Sequence, residues 1–125
     1  MSEAVLDSSA ILAVINAEPG AARVIEVIRE AAVSTVNFAE VASKLTEYGH
    51  TEAEVRSILE NLSLVVVPLE RELAYQAGFL KGLGRGLSLG DRVCLALAAS
   101  MDLPAYTADR AWANIDTGAN VVVVR

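Results

Sequence analysis

The chain has 125 residues, of which 54% are hydrophobic and 21% charged, and this length and composition predict a single domain over residues 1–125 and exclude a disordered protein. Its net charge of −6 excludes a protein that coats nucleic acid through a basic surface, but not an enzyme that reaches phosphate through metal ions. The acidic start, the single cysteine and the lack of an apolar run of about 18 residues predict a cytoplasmic protein without a signal peptide, disulfide or membrane span.

Short apolar segments alternate with helical patterns along the chain. The predicted strands are residues 5–6, 33–36, 64–68, 105–107 and 121–124. The predicted helices are residues 8–15, 21–32, 37–48, 51–62, 70–83 and 91–101, with a short helical segment near 110–113. This alternation predicts an α/β/α sandwich with a central, mainly parallel sheet of four to five short strands. Ligands of such sheets bind at the carboxyl ends of the strands, so functional residues are expected in the loops that leave them.

Acidic side chains follow three of the predicted strands. Asp7 comes directly after the first strand, Glu40 lies in the first helical turn after the second, and Asp109 lies just beyond residues 105–107. Because the carboxyl ends of parallel strands meet at one edge of a sheet, these three carboxylates are expected to converge. Asp91 begins the helix that leads into residues 105–107, and topology alone predicts that it lies at the opposite edge.

The same acids also fit local structural roles, and the sequence leaves that alternative open. Asp7 and Asp109 precede helical segments and are residues of the type that caps helix N-termini. Three pairs have the spacing of a capping box, namely Asn37 with Glu40, Thr51 with Glu54, and Ser88 with Asp91.

Carboxylates brought together would need cations. Two unit charges about 4 Å apart repel by roughly 4 kcal/mol at an effective dielectric of about 20, so clustered carboxylates either take up protons or bind cations. An all-oxygen site without histidine or thiolate suits Mg²⁺ or Mn²⁺. Such ions activate water and stabilise the leaving oxygen of a phosphodiester, so the expected reaction is phosphodiester hydrolysis.

Four segments of the chain resemble the four conserved blocks of PIN domains. They are residues 5–12 (VLDSSAIL), 37–41 (NFAEV), 87–98 (LSLGDRVCLALA) and 106–112 (YTADRAW). Their order and spacing, and the length of the chain, are similar to those of the VapC toxins of bacterial toxin–antitoxin pairs. Each block alone is weak, but four in this order are specific, and the resemblance extends over essentially the whole chain.

The resemblance implies that the catalytic, metal-binding acids are Asp7, Glu40, Asp91 and Asp109. It includes Asp91 because, in that family, the corresponding helix starts in the active-site cleft. It also implies endonucleolytic cleavage of RNA by a water that Mg²⁺ or Mn²⁺ activates, homodimerisation, and inhibition by a cognate antitoxin. Gly90 departs from the family pattern, which often has alanine there, and is expected to loosen the helix start without removing the chemistry. Asp116 is a weaker candidate for a further acid.

Further residues are assigned supporting roles. Thr107 is expected to orient a carboxylate or water from behind the site. Lys81, Arg85, Arg92 and Arg110 are candidates for contacts with RNA phosphates, although each also fits an ordinary solvated charge. The glycine-rich segment 81–90 lacks the spacing of a phosphate-binding loop and is interpreted as a connector.

Two other functional classes remain open. In an aspartate-based phosphatase or phosphoacceptor Asp7 would be the nucleophile, but Ser9 stands where such phosphatases have a second acid. In a non-catalytic interaction module the fold would bind a partner through apolar surface, and the presence of all four acids argues against this alternative. Metal titration distinguishes the module from the nuclease.

Overall fold

A five-stranded parallel sheet forms the centre of the computed structural model, which describes residues 1–83 and 86–125. The strands are β1 (Val5–Leu6), β2 (Ala32–Ser34), β3 (Val65–Val67), β4 (Ala105–Thr107) and β5 (Val121–Val123), and they lie in the order β3-β2-β1-β4-β5. Each neighbouring pair of strands is parallel. The predicted parallel sheet of short strands is therefore confirmed.

Helices cover both faces of this sheet. The α-helices of the described residues are α1 (Ser8–Ile15), α2 (Ala21–Ile28), α3 (Thr35–Glu47), α4 (Glu52–Glu60), α5 (Arg71–Phe79) and α6 (Leu89–Met101), with 3-10 helices at Leu80–Leu83 and Arg110–Asn114. Side chains of α1 to α4 pack in one core cluster, and side chains of α5 and α6 pack in another. The predicted α/β/α sandwich is thus the observed architecture.

The two side chains of β1 point to opposite faces of the sheet, so this short strand contacts the helical layers on both sides. Val5 packs in the cluster with Leu95 and Trp112, whereas Leu6 packs in the opposite cluster with Ile11 and others. Successive side chains of a strand point to opposite faces of the sheet. Both residues are fully buried, as expected for the central strand of a parallel sheet.

Several helix boundaries differ from the prediction, and the clearest case is α3. The strand expected at residues 33–36 ends at Ser34, and the helix begins at Thr35 instead of Asn37. The Ser34 hydroxyl accepts a hydrogen bond from the backbone N–H of Asn37 and caps the helix. Asn37 and Glu40 therefore lie inside α3, and their predicted capping box is wrong.

The other differences are smaller. α2 ends at Ile28 and not near residue 32, the helix predicted over 70–83 divides into α5 and a 3-10 turn, and α6 begins at Leu89, two residues before its predicted start. Among the described residues, no helix has the length and apolar character needed to cross a bilayer.

Candidate active site

Asp7 lies at the carboxyl end of the central strand and is the most buried of the predicted acids. It caps α1, where its Oδ1 accepts from the Ala10 N–H (2.8 Å) and from the Ser9 hydroxyl (2.7 Å), while its Oδ2 accepts from the Thr107 hydroxyl (2.6 Å). Its side chain is only 3% exposed. Both oxygens therefore accept hydrogen bonds and are largely shielded from solvent.

Thr107 joins Asp7 to Asp109 across β1 and β4. Its hydroxyl oxygen donates to Asp7 and accepts from the Asp109 N–H (3.0 Å). Asp109 is exposed and caps the following 3-10 helix through a hydrogen bond from the Ala111 N–H to its Oδ1 (2.9 Å). Thr107 is fully buried, so its contacts match the orienting role expected from the sequence.

Glu40 reaches the same edge of the sheet from α3. Its Oε1 accepts a hydrogen bond from Asn37 Nδ2 (2.8 Å), and its carboxylate rests on the backbone of Gly90 in the first turn of α6. A Cβ built on Gly90 would lie 2.6 Å from Glu40 Oε1. The Glu40 carboxylate is therefore next to the start of the helix that carries Asp91.

Asp91 follows Gly90, against which the Glu40 carboxylate lies, so the prediction from topology that Asp91 occupies the opposite edge is wrong. A helix that leads into a parallel strand runs back along the sheet, and its N-terminus therefore starts at the carboxyl edge. The Ser88 side chain accepts from the Asp91 N–H (3.1 Å) and Asp91 Oδ2 accepts from the Ser88 N–H (2.9 Å), so the predicted capping box is confirmed.

Electrostatic effects on the buried groups agree with a location of Asp7, Glu40 and Asp91 in one region. Burial raises the pKa of the Cys94 thiol well above its usual value, and the negative charges of Asp7, Asp91 and Glu40 raise it further. Burial also raises the pKa of Asp7 from 3.8 to about 6; its hydrogen bonds oppose that shift and the charge of Asp91 adds to it. Either a proton or a bound cation would relieve this repulsion.

The local hydrogen bonds leave one oxygen of three carboxylates without a partner among the described residues. Hydrogen bonds from these residues engage Glu40 Oε1, Asp91 Oδ2 and Asp109 Oδ1, and none reaches the second oxygen of these groups. Each of these hydrogen bonds therefore orients a carboxylate and leaves its other oxygen available. Within residues 1–83 and 86–125, however, no three His, Cys, Asp or Glu side chains are arranged to hold one metal ion directly.

The predicted RNA-contacting residues Arg110 and Arg92 have different surroundings. Arg110 is exposed beside Asp109 and, with Ser9 and Arg125, lines an open cleft of about 680 Å³. Arg92 donates from Nη1 to the Ala77 carbonyl of α5 (3.3 Å).

Two more basic candidates and one acid complete the set. Lys81 is exposed in the 3-10 turn after α5, and Arg85 lies outside the described residues. Asp116 accepts from the Gly118 N–H in an exposed turn (3.3 Å), and no hydrogen bond joins it to the four predicted acids.

Sequence reasoning missed the roles of Ser9 and Asn37. Ser9 donates to Asp7 and accepts from the Ala108 N–H (2.9 Å), which ties β4 to the start of α1. Asn37 was interpreted only as a cap. Its spacing of three residues before Glu40 was the available signal, because side chains at i and i+3 of a helix are neighbours.

Solved structures of similar fold come from toxin–antitoxin systems. A toxin–antitoxin complex from Klebsiella pneumoniae aligns with a TM-score of 0.77 and 20% identity over 98% of both chains. VapC20 of Mycobacterium tuberculosis, described as a sarcin-ricin loop cleaving toxin, aligns with a TM-score of 0.73 and 20% identity over 89% of this chain and 93% of its own. VapBC-5 of the same species, from the VapBC family of toxin–antitoxin systems, aligns with a TM-score of 0.61 and 25% identity over 98% of both chains.

Among curated proteins, none matches this sequence significantly. The sequence model of the PIN domain matches residues 4–118, a span that contains β1 to β4, the two helical layers and all four predicted acids. The chain therefore belongs to the PIN domain family.

Proposed function

We propose that this protein is a metal-dependent endoribonuclease that acts as the toxin of a toxin–antitoxin pair. The observation that carries the proposal is the placement of Asp7, Glu40, Asp91 and Asp109 at one edge of the sheet. Membership of the PIN domain family and the likeness to structures from toxin–antitoxin systems, together with the likeness to a toxin described as sarcin-ricin loop cleaving, support it.

The four acids would hold Mg²⁺ or Mn²⁺. Their donor atoms are all carboxylate oxygens, and the second oxygens of Glu40, Asp91 and Asp109 accept nothing from the described residues. Mg²⁺ usually retains several waters and takes only one or two carboxylates directly, so the lack of a preformed three-carboxylate group in the described residues is compatible with such a site. When bound, the ion would supply activated water and offset charge on the phosphate.

The chain's own residues would prepare this site and hold the substrate. Thr107 and Ser9 fix both oxygens of Asp7 by donating to them, which keeps the carboxylate in one orientation. Arg110 and Lys81 are exposed and would contact RNA phosphates. Arg92 would join them only by giving up its bond to Ala77.

The remaining partners follow from the same proposal. A cognate antitoxin would inhibit the nuclease, and the chain would function as a homodimer in the cytoplasm. The similar structures from Rickettsia felis and Salmonella typhimurium are VapBC assemblies on DNA, and these support the antitoxin as a partner.

The test is cleavage of RNA by the purified chain, freed of any antitoxin. We expect cutting with Mg²⁺ or Mn²⁺, loss of cutting in chelator, and roughly a hundredfold or greater loss of kcat in Asp91→Asn, since a metal ion contributes several kcal/mol to stabilising the transition state and about 1.4 kcal/mol is tenfold in rate. Asp102→Asn is the matched control, because this substitution removes the same charge at the other end of α6. The left-handed backbone of residue 102 (φ 53°) also suits asparagine. Full activity of Asp91→Asn would refute the proposed site, and a wild-type chain that neither binds Mn²⁺ nor cuts RNA would favour the interaction module.

A further inference from the structure

Asn37 is a buried polar side chain that the proposed mechanism does not use. It is 1% exposed, lies in α3, and bonds to three groups from three parts of the chain. Its Nδ2 donates to Glu40 Oε1 (2.8 Å) and to the Gly90 carbonyl of α6 (3.2 Å), and its Oδ1 accepts from the Ser34 hydroxyl at the end of β2 (2.7 Å). One amide thus links the strand, the helix with Glu40 and the helix with Asp91.

These partners determine which way the amide faces. Both groups near Nδ2 are acceptors, a carboxylate oxygen and a carbonyl oxygen, so only the NH₂ end of Asn37 can satisfy them. The Ser34 hydroxyl already accepts from the Asn37 backbone N–H and therefore has its proton available for Oδ1. A rotated amide would place its oxygen against two acceptors, which costs free energy in a buried site.

The local structure of α3 does not account for an asparagine here. Ser34 already caps the helix, and asparagine inside a helix is roughly 0.6 kcal/mol less favourable than alanine. Burial of an amide is acceptable only when its hydrogen bonds are satisfied. The groups that satisfy it belong to Glu40 and to the first turn of α6.

Gly90 provides the space in which the Glu40 carboxylate lies, and we call this space, together with the Asn37 amide that bonds to the carboxylate, the seat of Glu40. Both carboxylate oxygens and the Cδ of Glu40 lie 2.6–2.9 Å from where a Cβ of residue 90 would be. The carboxylate therefore fits against Asn37 only because residue 90 has no side chain.

We propose that Asn37 is a positioning residue that holds the Glu40 carboxylate beside Asp91 and so assembles the metal-binding edge. This inference rests on the proposed nuclease function. Asn37 acts through Glu40, and the hydrogen bond to Oε1 leaves Oε2 for an ion. Partners that orient a metal-binding carboxylate typically change metal affinity or activity by roughly ten- to a hundredfold when removed.

The first experiment compares Asn37→Ala with Val41→Ala by Mn²⁺ titration, followed by the electron paramagnetic resonance signal of free Mn²⁺. Val41 is fully buried in the same helix and packs in the core, so its truncation also destabilises α3 but leaves the seat intact. We expect the Kd for Mn²⁺ to rise roughly tenfold or more in Asn37→Ala and to stay within about twofold in Val41→Ala, with both chains folded by circular dichroism.

The second experiment is a double-mutant cycle with Glu40→Gln. If Asn37 acts through the Glu40 carboxylate, Asn37→Ala should add little further loss of Mn²⁺ affinity or kcat once Glu40 is glutamine. In the Glu40 background the same change should lower kcat far more than it alters KM for RNA. A purely structural asparagine would instead give equal, additive effects in both backgrounds.

The outcomes separate this inference from the function on which it rests. If the wild-type chain binds Mn²⁺ and cuts RNA but Asn37→Ala behaves like Val41→Ala, or the cycle is additive, the inference is overturned and the function stands. If the wild-type chain neither binds Mn²⁺ nor cuts RNA, the proposed function fails and Asn37 has no ion to serve.

Discussion

At the scale of single residues, Asp7 shows how burial disfavours the charged form of a carboxylate. Among residues 1–83 and 86–125, its surroundings supply three hydrogen bonds but no basic side chain, and burial raises its pKa from 3.8 to about 6. A folded-state pKa above the unfolded one means that the native protein binds more protons between these values. The stabilising contribution of protonated Asp7 is therefore complete below about pH 3.8 and is lost as pH rises through about 6.

This sign predicts that Asp7→Asn stabilises the metal-free protein at neutral pH. Asparagine is as good an N-cap as aspartate and cannot ionise. The shift from 3.8 to about 6 corresponds to at most about 3 kcal/mol. We expect the free energy of unfolding in urea with chelator to rise by about 1 to 3 kcal/mol at pH 7.5 and to change little at pH 4.

Bound metal should reduce or reverse the difference in unfolding free energy between Asp7→Asn and the wild-type chain, and it therefore serves as the control. Saturating Mn²⁺ should stabilise the wild-type chain through binding to the native state and should leave Asp7→Asn almost unchanged. An Asp7→Asn chain that is less stable at pH 7.5 without metal would show instead that the carboxylate is a structural cap.

Gly90 gives a second prediction at this scale. In Gly90→Ala the new Cβ would meet the end of the Glu40 side chain, which is flexible, so the fold should survive while the carboxylate moves away from Asn37. We expect unchanged or slightly raised stability and a Kd for Mn²⁺ that rises roughly tenfold.

Gly78→Ala is the control for this change. Gly78 also lies in a helix, α5, and nothing stands within 4 Å of its missing Cβ. It should gain about 0.5–1 kcal/mol of stability from helix propensity without any change in Mn²⁺ binding. Equal Mn²⁺ affinity in the two variants would show that Glu40 does not need its present seat.

At the scale of elements, the chain uses one capping motif for two purposes. Ser88 with Asp91 starts α6 at the candidate site, and Thr51 with Glu54 starts α4. Ser88→Ala and Thr51→Ala should each cost about 1 kcal/mol of stability, measured by urea unfolding. Only Ser88→Ala should also weaken Mn²⁺ binding, by several fold, because its cap holds the first turn that carries Asp91. Equal Mn²⁺ affinities in the two variants would make the Ser88 cap purely structural.

The elements also show what sequence patterns were able to predict. Asp7 and Asp109 were placed at the correct edge, since each lies within two residues of the end of a parallel strand and the edge is then determined by topology. α3 was placed two residues late because Thr35 and Val36 were assigned to the strand, whereas β2 ends at Ser34, whose hydroxyl caps the helix. Threonine and valine are common in strands, and only the observed hydrogen bond from the Asn37 N–H to the Ser34 hydroxyl shows where the helix begins.

The topological prediction for Asp91 was wrong for a different reason. The direction of a helix that precedes a strand follows from the parallel sheet, and the correct edge was available in principle. The closeness of Asp91 to Glu40 depends instead on how α6 packs beside α3, with the Gly90 carbonyl against Asn37. Such tertiary contacts are set by the packing of the two helices, and periodicity within either helix carries no information about them.

At the scale of the whole molecule, a net charge of −6 has to be reconciled with a polyanionic substrate. The four acids contribute to that charge at the carboxyl edge, and bound cations would offset them. The cleft beside Asp109 has Arg110 and Arg125 on its walls, so positive charge is available where RNA would lie. Steering by such local charge weakens as salt rises.

Arg110 therefore tests the whole-molecule picture. Arg110→Ala should raise KM for a single-stranded RNA several fold with little change in kcat, and should reduce the slope of log kcat/KM against log salt by about 0.7, the value for one phosphate contact on a single strand. Arg29→Ala is the control, because it makes the same change in net charge at an exposed residue just before β2, on the amino side of the sheet. If both variants reduce the slope equally, the net charge of the molecule governs association with RNA, and the cleft has no specific part in it.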